Sequence, residues 1–271
     1  MREHVNAKSA DPVRQANAIE HLKAHFGSKP IAEIDIPATR GYVAARLAGE
    51  IGGGRRRKSK VGSISTIRRE LNVLVAAANH ERKWKRLTTM PSVELPAEER
   101  VDRDEVVAYF EKPVLQQLIG AAEGELKHFI KLSYYTAARR KSIENLTAEQ
   151  CHLFRRQIVL ATPGKARTKK RQPVVPIFDE IMADVATLTG RTPTGRLFET
   201  GSFYRAFMAL CRSLDLPEPH HPHMLRHSRA THLLQDGKGI YDVAGLLGDT
   251  VKTVEATYGH HSPNALRRKL G

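Results

Sequence analysis

Four stretches of the chain hold side chains suited to chemistry on an oxyanion. The first is Tyr134-Tyr-Thr-Ala-Ala-Arg139-Arg-Lys-Ser, a cationic cluster after the apolar run that contains Phe129, Ile130 and Leu132. The second is Gly164-Lys165-Ala-Arg167-Thr-Lys169-Lys170-Arg171, in which five of eight residues are basic and none is acidic. The third is His220-His-Pro-His223-Met-Leu-Arg226-His227, where His223 and Arg226 stand three apart and share a helical face. The fourth closes on Tyr258-Gly259. A guanidinium presents paired N–H donors that match a phosphate. An imidazole can donate a hydrogen bond or shuttle a proton, and an ammonium can protonate a departing oxygen. A phenol ordinarily titrates near about 10 and becomes a nucleophile where cations favour its anion.

Each stretch also has a plainer explanation. Cations collect at helix C-termini through the helix dipole. A basic run on a loop is commonly just solvated. His223 and His227 at i, i+4 could hold zinc, but no H-E-x-x-H pattern or nearby acidic ligand accompanies them, and Arg226 would repel a cation. A single tyrosine usually ends half-buried with a wet hydroxyl.

Composition narrows the choice. The 271 residues carry 44 Lys and Arg against 29 Asp and Glu, a formal net charge of +15, which favours an anionic polymer as partner. Residues 1–100 hold 19 basic and 11 acidic residues, so both halves are basic, as a two-domain clamp around a polyanion requires. No apolar run is long enough to span a bilayer, and the N-terminus lacks the apolar stretch of a secretory signal, so a soluble cytoplasmic protein is expected. Cys151 and Cys211 are isolated, which excludes a cysteine zinc site and a disulfide framework. No phosphate-loop or dinucleotide fingerprint is present, so no cofactor is expected.

The elements that would position these residues fall into two parts. Residues 14–27, 38–49 and 63–84 read as helices, the last with Ile64, Ile67, Leu71, Leu74, Val75 and Ala78 on one stripe and Ser63 or Ser65 as N-cap. Its polar face carries Arg68 and Arg69. Ahead of it a glycine run leads into Arg55, Arg56, Arg57 and Lys58. Residues 87–100 hold two prolines and no helical period and read as a linker. The expected domains are therefore 1–100 and 101–271. In the second, helices are expected over 103–123, 126–139, 178–188, 202–214, 223–236, 240–248 and 250–258. Gly237 and Gly259 are expected helix stops. Residues 157–162 and 172–177 are β-branched and flank the basic stretch, which predicts a hairpin with a basic tip. The fold class is mainly α with a small β-hairpin or sheet.

In order and spacing the second half resembles the tyrosine recombinase, or phage integrase, family. That family carries T-G-x-R, a hairpin Lys before a V-P-[LI] strand, H-x-L-R-H, and L-G-[HW] with a Tyr nine residues on. Here these stand as Thr136-Ala-Ala-Arg139, Lys169 before Val175-Pro176-Ile177, His223-Met-Leu-Arg226-His227, and Leu247-Gly248-Asp249 followed by Tyr258. The helical first half resembles the family's core-binding domain more loosely.

The resemblance implies a two-domain DNA clamp, a helical core-binding domain plus a mixed α/β catalytic domain. It implies site-specific recombination through a 3′-phosphotyrosyl intermediate without metal or ATP. Arg139, Lys169, His223, Arg226, Asp249 and Tyr258 take the catalytic positions, with Lys170 as the alternative to Lys169. Arg55, Arg56, Arg57, Lys58, Arg68, Arg69, Lys165, Arg167, Lys170 and Arg171 are the expected DNA-binding residues. The implied partner is double-stranded DNA bound by a homo-tetramer, with an accessory DNA-bending protein, at the nucleoid of a bacterium carrying a phage or mobile element. The runners-up are a type IB topoisomerase-like activity and a recombinase-derived DNA-binding protein with weakened cleavage.

Two departures stand out. Ser142 replaces the common Glu, with little consequence expected. Asp249 replaces a His or Trp that donates a hydrogen bond to the phosphate, whereas an ionised carboxylate only accepts. Asp249 is then turned away or buried beside a cation, or His260 or His261 supplies the missing donor, or activity is reduced.

Overall fold

The computed structural model describes residues 12–51, 61–98, 108–161 and 172–262. The chain forms two compact units, residues 1–101 and 102–271. Arg55, Arg56, Arg57 and Lys58 lie outside the described residues, as do Lys165, Arg167, Lys169, Lys170 and Arg171.

Among the described residues the first unit has three α-helices, α1 (Pro12–Phe26), α2 (Ile36–Leu47) and α3 (Ile64–Lys83). The Asp35 side chain caps α2 by accepting from the Ala38 N–H, and Ser63 caps α3 by accepting from the Thr66 N–H. The expected stripe of α3 buries Ile67, Leu71 and Leu74 against Leu22, Ile34, Tyr42 and Ile51, and Ala78 is buried as well. Val75 is only half-buried, and the acidic Glu70 is buried instead. Glu70 is fully partnered: its carboxylate accepts from Arg46 Nε and Nη2 at 2.9 Å each and from the Tyr42 hydroxyl at 2.7 Å, and lies 2.8 Å from His21 Nδ1.

The expected linker is fastened to this unit. The Ser92 N–H donates to the Ile34 carbonyl, Glu94 pairs with Arg40, and Val93 and Leu95 pack on the core. Proline and serine rule out a helix here but leave the backbone donors and apolar side chains free to dock.

Among the described residues the regular structure of the second unit begins at α4 (Lys112–Ala121); residues 103–107 of the helix expected from 103 lie outside the described residues. Residues 108–110 are irregular, because Pro113 has no N–H and fits only the first helical turn. Then come α5 (Gly124–Tyr135) and a short helix missed in the sequence, α6 (Arg140–Glu144). The expected hairpin is β2 (Gln157–Val159) and β3 (Val174–Pro176), paired antiparallel with Ile158 opposite Val175. A two-residue strand, β1 (Cys151–His152), adds to β2, giving the order β1-β2-β3.

Helices α7 (Asp179–Arg191), α8 (Tyr204–Ser213), α9 (Met224–Gln235), α10 (Ile240–Leu247) and α11 (Val251–Tyr258) follow among the described residues. Its larger core joins Phe129, Ile130, Leu132, Ile158, Val185, Phe203, Phe207 and Leu225. A smaller one joins Ala137, Ala230, Leu234, Val243, Leu247, Val254 and Tyr258. Gly237 ends α9 at φ +76° as expected. Gly259 caps α11, which ends at Tyr258 as expected, but at φ −56° rather than in the left-handed region, and the chain runs on into a 3-10 turn, Gly259–His261. Among the described residues no helix is long and apolar enough to cross a membrane.

Candidate active site

The site is assembled from three places in the second unit. The first is the α5–α6 corner. The Thr136 hydroxyl donates to the Leu132 carbonyl at 2.6 Å and closes α5. Ala137 then takes φ +50°, the left-handed region. A side chain there costs about 1 kcal/mol, which is the physical reason the resembling motif has glycine at this place. The reversal aims the Ala137 carbonyl at Arg226 and sets Arg139 at the mouth of α6.

The second place is α9. Arg226 is 4% exposed, and its guanidinium is framed by backbone: Nη1 donates to the Ala137 carbonyl at 2.6 Å and Nη2 to the Leu247 carbonyl at 2.8 Å. Burial, reinforced by the Arg139 cation, lowers its pKa below the usual arginine value. His223 lies one residue before α9 and keeps one side open to solvent. The protein packed around the rest of its ring, with the Arg226 charge, pushes its pKa down to about 4. His227 sits edge-to-face with His223 at 4.6 Å between centroids, and burial lowers its pKa to about 3.

The third place is the α10–α11 corner. Gly248 caps α10 at φ +64°, and Asp249 follows. The Asp249 carboxylate bridges both arginines: Oδ1 accepts from Arg139 Nη2 at 2.8 Å and Oδ2 from Arg226 Nη2. At the far end of α11, Tyr258 is 5% exposed, not half-buried with a wet hydroxyl. Its ring lies in the smaller core, and its hydroxyl meets His227 Nδ1 at 2.6 Å. Burial raises the phenol to about 12, against the opposing pull of Arg226.

The structure therefore brings Arg139, Arg226 and Asp249 into direct contact, with His223 and Tyr258 within electrostatic reach of Arg226. Arg68 and Arg69 lie on α3 in the other unit. Arg68 is engaged by the Pro96 carbonyl and Glu98, while Arg69 is exposed. The Ser142 N–H donates to the Arg139 carbonyl and continues the turn into α6. His261 packs edge-to-face on Tyr109 at 5.2 Å. Among the described residues no group of three His, Cys, Asp or Glu is arranged to hold a metal ion.

Sequence reasoning missed His227 as the partner of Tyr258. The available signal was its place one residue after Arg226 and one turn after His223. At pH 7 its imidazole is neutral, so with the proton on Nε2 its Nδ1 accepts from the phenol.

Residues 108–265 match the Phage integrase family. The integrase of Haemophilus phage HP1 is 23% identical over 254 residues, 92% of this chain and 70% of that protein. The tyrosine recombinase XerD of Staphylococcus epidermidis is 24% identical over 266 residues, 92% of this chain and 87% of that protein. Among solved structures, the Tn1549 transposon integrase in complex with transposon right end DNA has a fold matching at TM-score 0.72, with 14% identity, 99% of this chain and 95% of that one covered. XerH recombinase bound to a palindromic difH substrate matches at 0.68, with 17% identity and coverage of 99% and 81%. With the matched segment spanning more than half of its length, the chain belongs to the phage integrase family of tyrosine recombinases.

Proposed function

We propose that this chain is a site-specific DNA recombinase that cuts and rejoins strands through Tyr258. The observation that carries the reading is the Tyr258 hydroxyl held by His227 beside Arg226, with Arg139 sharing the Arg226 carboxylate partner. In the proposed step the Tyr258 oxygen attacks phosphorus, the bond to the 5′-oxygen breaks, and a 3′-phosphotyrosyl link forms. The nonbridging oxygens gain charge in the transition state, and Arg139 and Arg226 neutralise it with guanidinium donors. Arg226 needs little reorganisation, because backbone carbonyls already fix its plane.

His227, which meets the phenol hydroxyl, takes its proton only as the oxygen bonds to phosphorus, because a base lowered to about 3 does not ionise a phenol near 12 beforehand. His223 donates to a phosphate oxygen. Lys169 protonates the leaving 5′-oxygen, with Lys170 as its alternate. A 5′-hydroxyl from another strand reverses the step, so the bond energy is kept and no nucleotide is consumed.

Residues 1–100 act as the core-binding half of a DNA clamp, and the basic residues at 55–58 and 165–171 contact the backbone of the duplex. Assembly is a homo-tetramer on paired duplexes, with an accessory bending protein setting the DNA path. One observation favours a second reading, a DNA-binding descendant with weakened cleavage: the carboxylate of Asp249 occupies both arginines. A nicked suicide substrate carrying the element's own end tests the two. A protein–DNA adduct on a denaturing gel, lost in Tyr258→Phe while DNA binding stays, is the expected result. Binding without any adduct overturns the proposal in favour of the second reading.

A further inference from the structure

We infer that Asp249 is a built-in ligand of the site's oxyanion pocket, and that a phosphodiester occupies the Arg139–Arg226 pair only by displacing it. This rests on the reading of the two arginines as phosphate ligands given above. A carboxylate and a phosphodiester each carry one negative charge and offer two terminal oxygens. In this chain one carboxylate oxygen meets each guanidinium, as two nonbridging oxygens of a phosphate would.

Three features make the carboxylate a competitor rather than a scaffold. First, Arg226 does not depend on it for orientation, because the Ala137 and Leu247 carbonyls hold the guanidinium. Second, the contact lies at the rim of the site. The Asp249 and Arg139 side chains are 28% and 25% exposed, against 4% for Arg226, so a displaced carboxylate turns into water rather than into the core. Third, departure needs only side-chain rotation. The backbone at Asp249 is pinned by its own N–H donating to the Ala244 carbonyl at 3.1 Å, next to Gly248 donating to Gly245.

Exchange of one monoanion for another leaves the charge of the site unchanged, with two guanidinium groups facing one anion before and after. The consequence is selectivity. A weakly held phosphate does not displace the carboxylate, and a phosphate delivered by a fully docked duplex does. The same substitution that replaces a hydrogen-bond donor with an acceptor thus makes the pocket closed by default.

The test is binding of inorganic phosphate to the full chain, followed by calorimetry, in wild type, Asp249→Asn and the double variant Asp249→Asn/Arg139→Ala. Asp249→Asn is expected to bind phosphate at least about tenfold more tightly than wild type, the gain that follows from removing a close competing charge. The double variant is expected to lose that gain. Equal or weaker binding by Asp249→Asn overturns the inference, because the carboxylate would then be supporting the guanidinium groups.

A measurement on the unmutated chain guards against a misfolded variant. The Asp249 carboxyl carbon resonance should move when phosphate saturates the site, and an unmoved resonance overturns displacement. On nicked DNA, Asp249→Asn should form the covalent adduct faster than wild type at equal substrate. A gain in phosphate affinity with no adduct in either protein would sink the strand-cleavage reading and leave the inference standing. An adduct in wild type without the phosphate gain would sink the inference alone.

Discussion

The two units each contain an arginine–carboxylate cluster with a tyrosine and a histidine close by, and the two are balanced differently. Around Glu70 one guanidinium, one phenol and one imidazole converge on one carboxylate, and both oxygens are satisfied. Arg46 and Glu70 are 3% and 4% exposed. Around Asp249 two guanidinium groups share one carboxylate, the Asp249 and Arg139 side chains reach water, and the phenol is tied to a histidine instead. A cluster with every charge and lone pair matched holds helices together. A cluster with a surplus cation and an exposed edge is prepared for a partner from outside. Burial of an ion pair alone does not separate the two; the count of charges and partners does.

The comparison can be broken by mutation. Arg226→Ala should slow adduct formation on nicked DNA by about a hundredfold to a thousandfold, the usual loss for a transition-state donor, with a much smaller change in DNA affinity. Equal losses in binding and cleavage would make Arg226 a second Arg46, a structural cation. Glu70→Gln should cost about 3 kcal/mol of stability in urea unfolding, because Arg46 is left buried without its counter-charge. Asp249→Asn should cost under about 1 kcal/mol, because the Ala137 and Leu247 carbonyls still hold Arg226 and the Asp249–Arg139 pair is in contact with solvent.

Acid sharpens the contrast. Burial alone would raise the Glu70 carboxyl, but hydrogen bonds from Arg46, Tyr42 and His21 outweigh it and hold it below the usual value. Its contribution is therefore present at neutral pH and drains only below the ordinary carboxylate range of about 4.3. His223 and His227 are lowered to about 4 and about 3, so the unfolded chain takes up their protons first as pH falls below about 6.5. Hydrogen exchange read residue by residue should show α9 and α11 losing protection between about pH 6 and 4, before α3 does. Simultaneous loss would remove the distinction. Ala137→Gly should act in the opposite direction, stabilising by about 1 kcal/mol and raising Tm by a few degrees, because φ +50° suits glycine.

Much of this was legible because helices announce their buried face. The spacing of Ile67, Leu71 and Leu74 gave α3 its stripe, and Ser63 its start. Thr136 to Arg139 and His223 to Arg226 were identified from local order, and the fold sets Arg139 and Arg226 against one carboxylate. The pairings that cross between helices left no such trace. His227 with Tyr258 joins residues 31 apart, and Glu70 with Arg46 joins residues 24 apart. Glu70 breaks the apolar pattern of its own helix, and only the approach of Arg46, Tyr42 and His21 makes its burial tolerable. The strand β1 is two residues long and has no period to read.

Asp249 and Tyr258 bracket α11, a rod of eight residues and so about 12 Å long. Asp249, two residues before its start, holds the arginines, and Tyr258, its last residue, carries the proposed attacking oxygen. With the Asp249 backbone tied to the Ala244 carbonyl, that rod is a strut: the carboxylate can swing off the cations while the helix stays still and the phenol keeps its place.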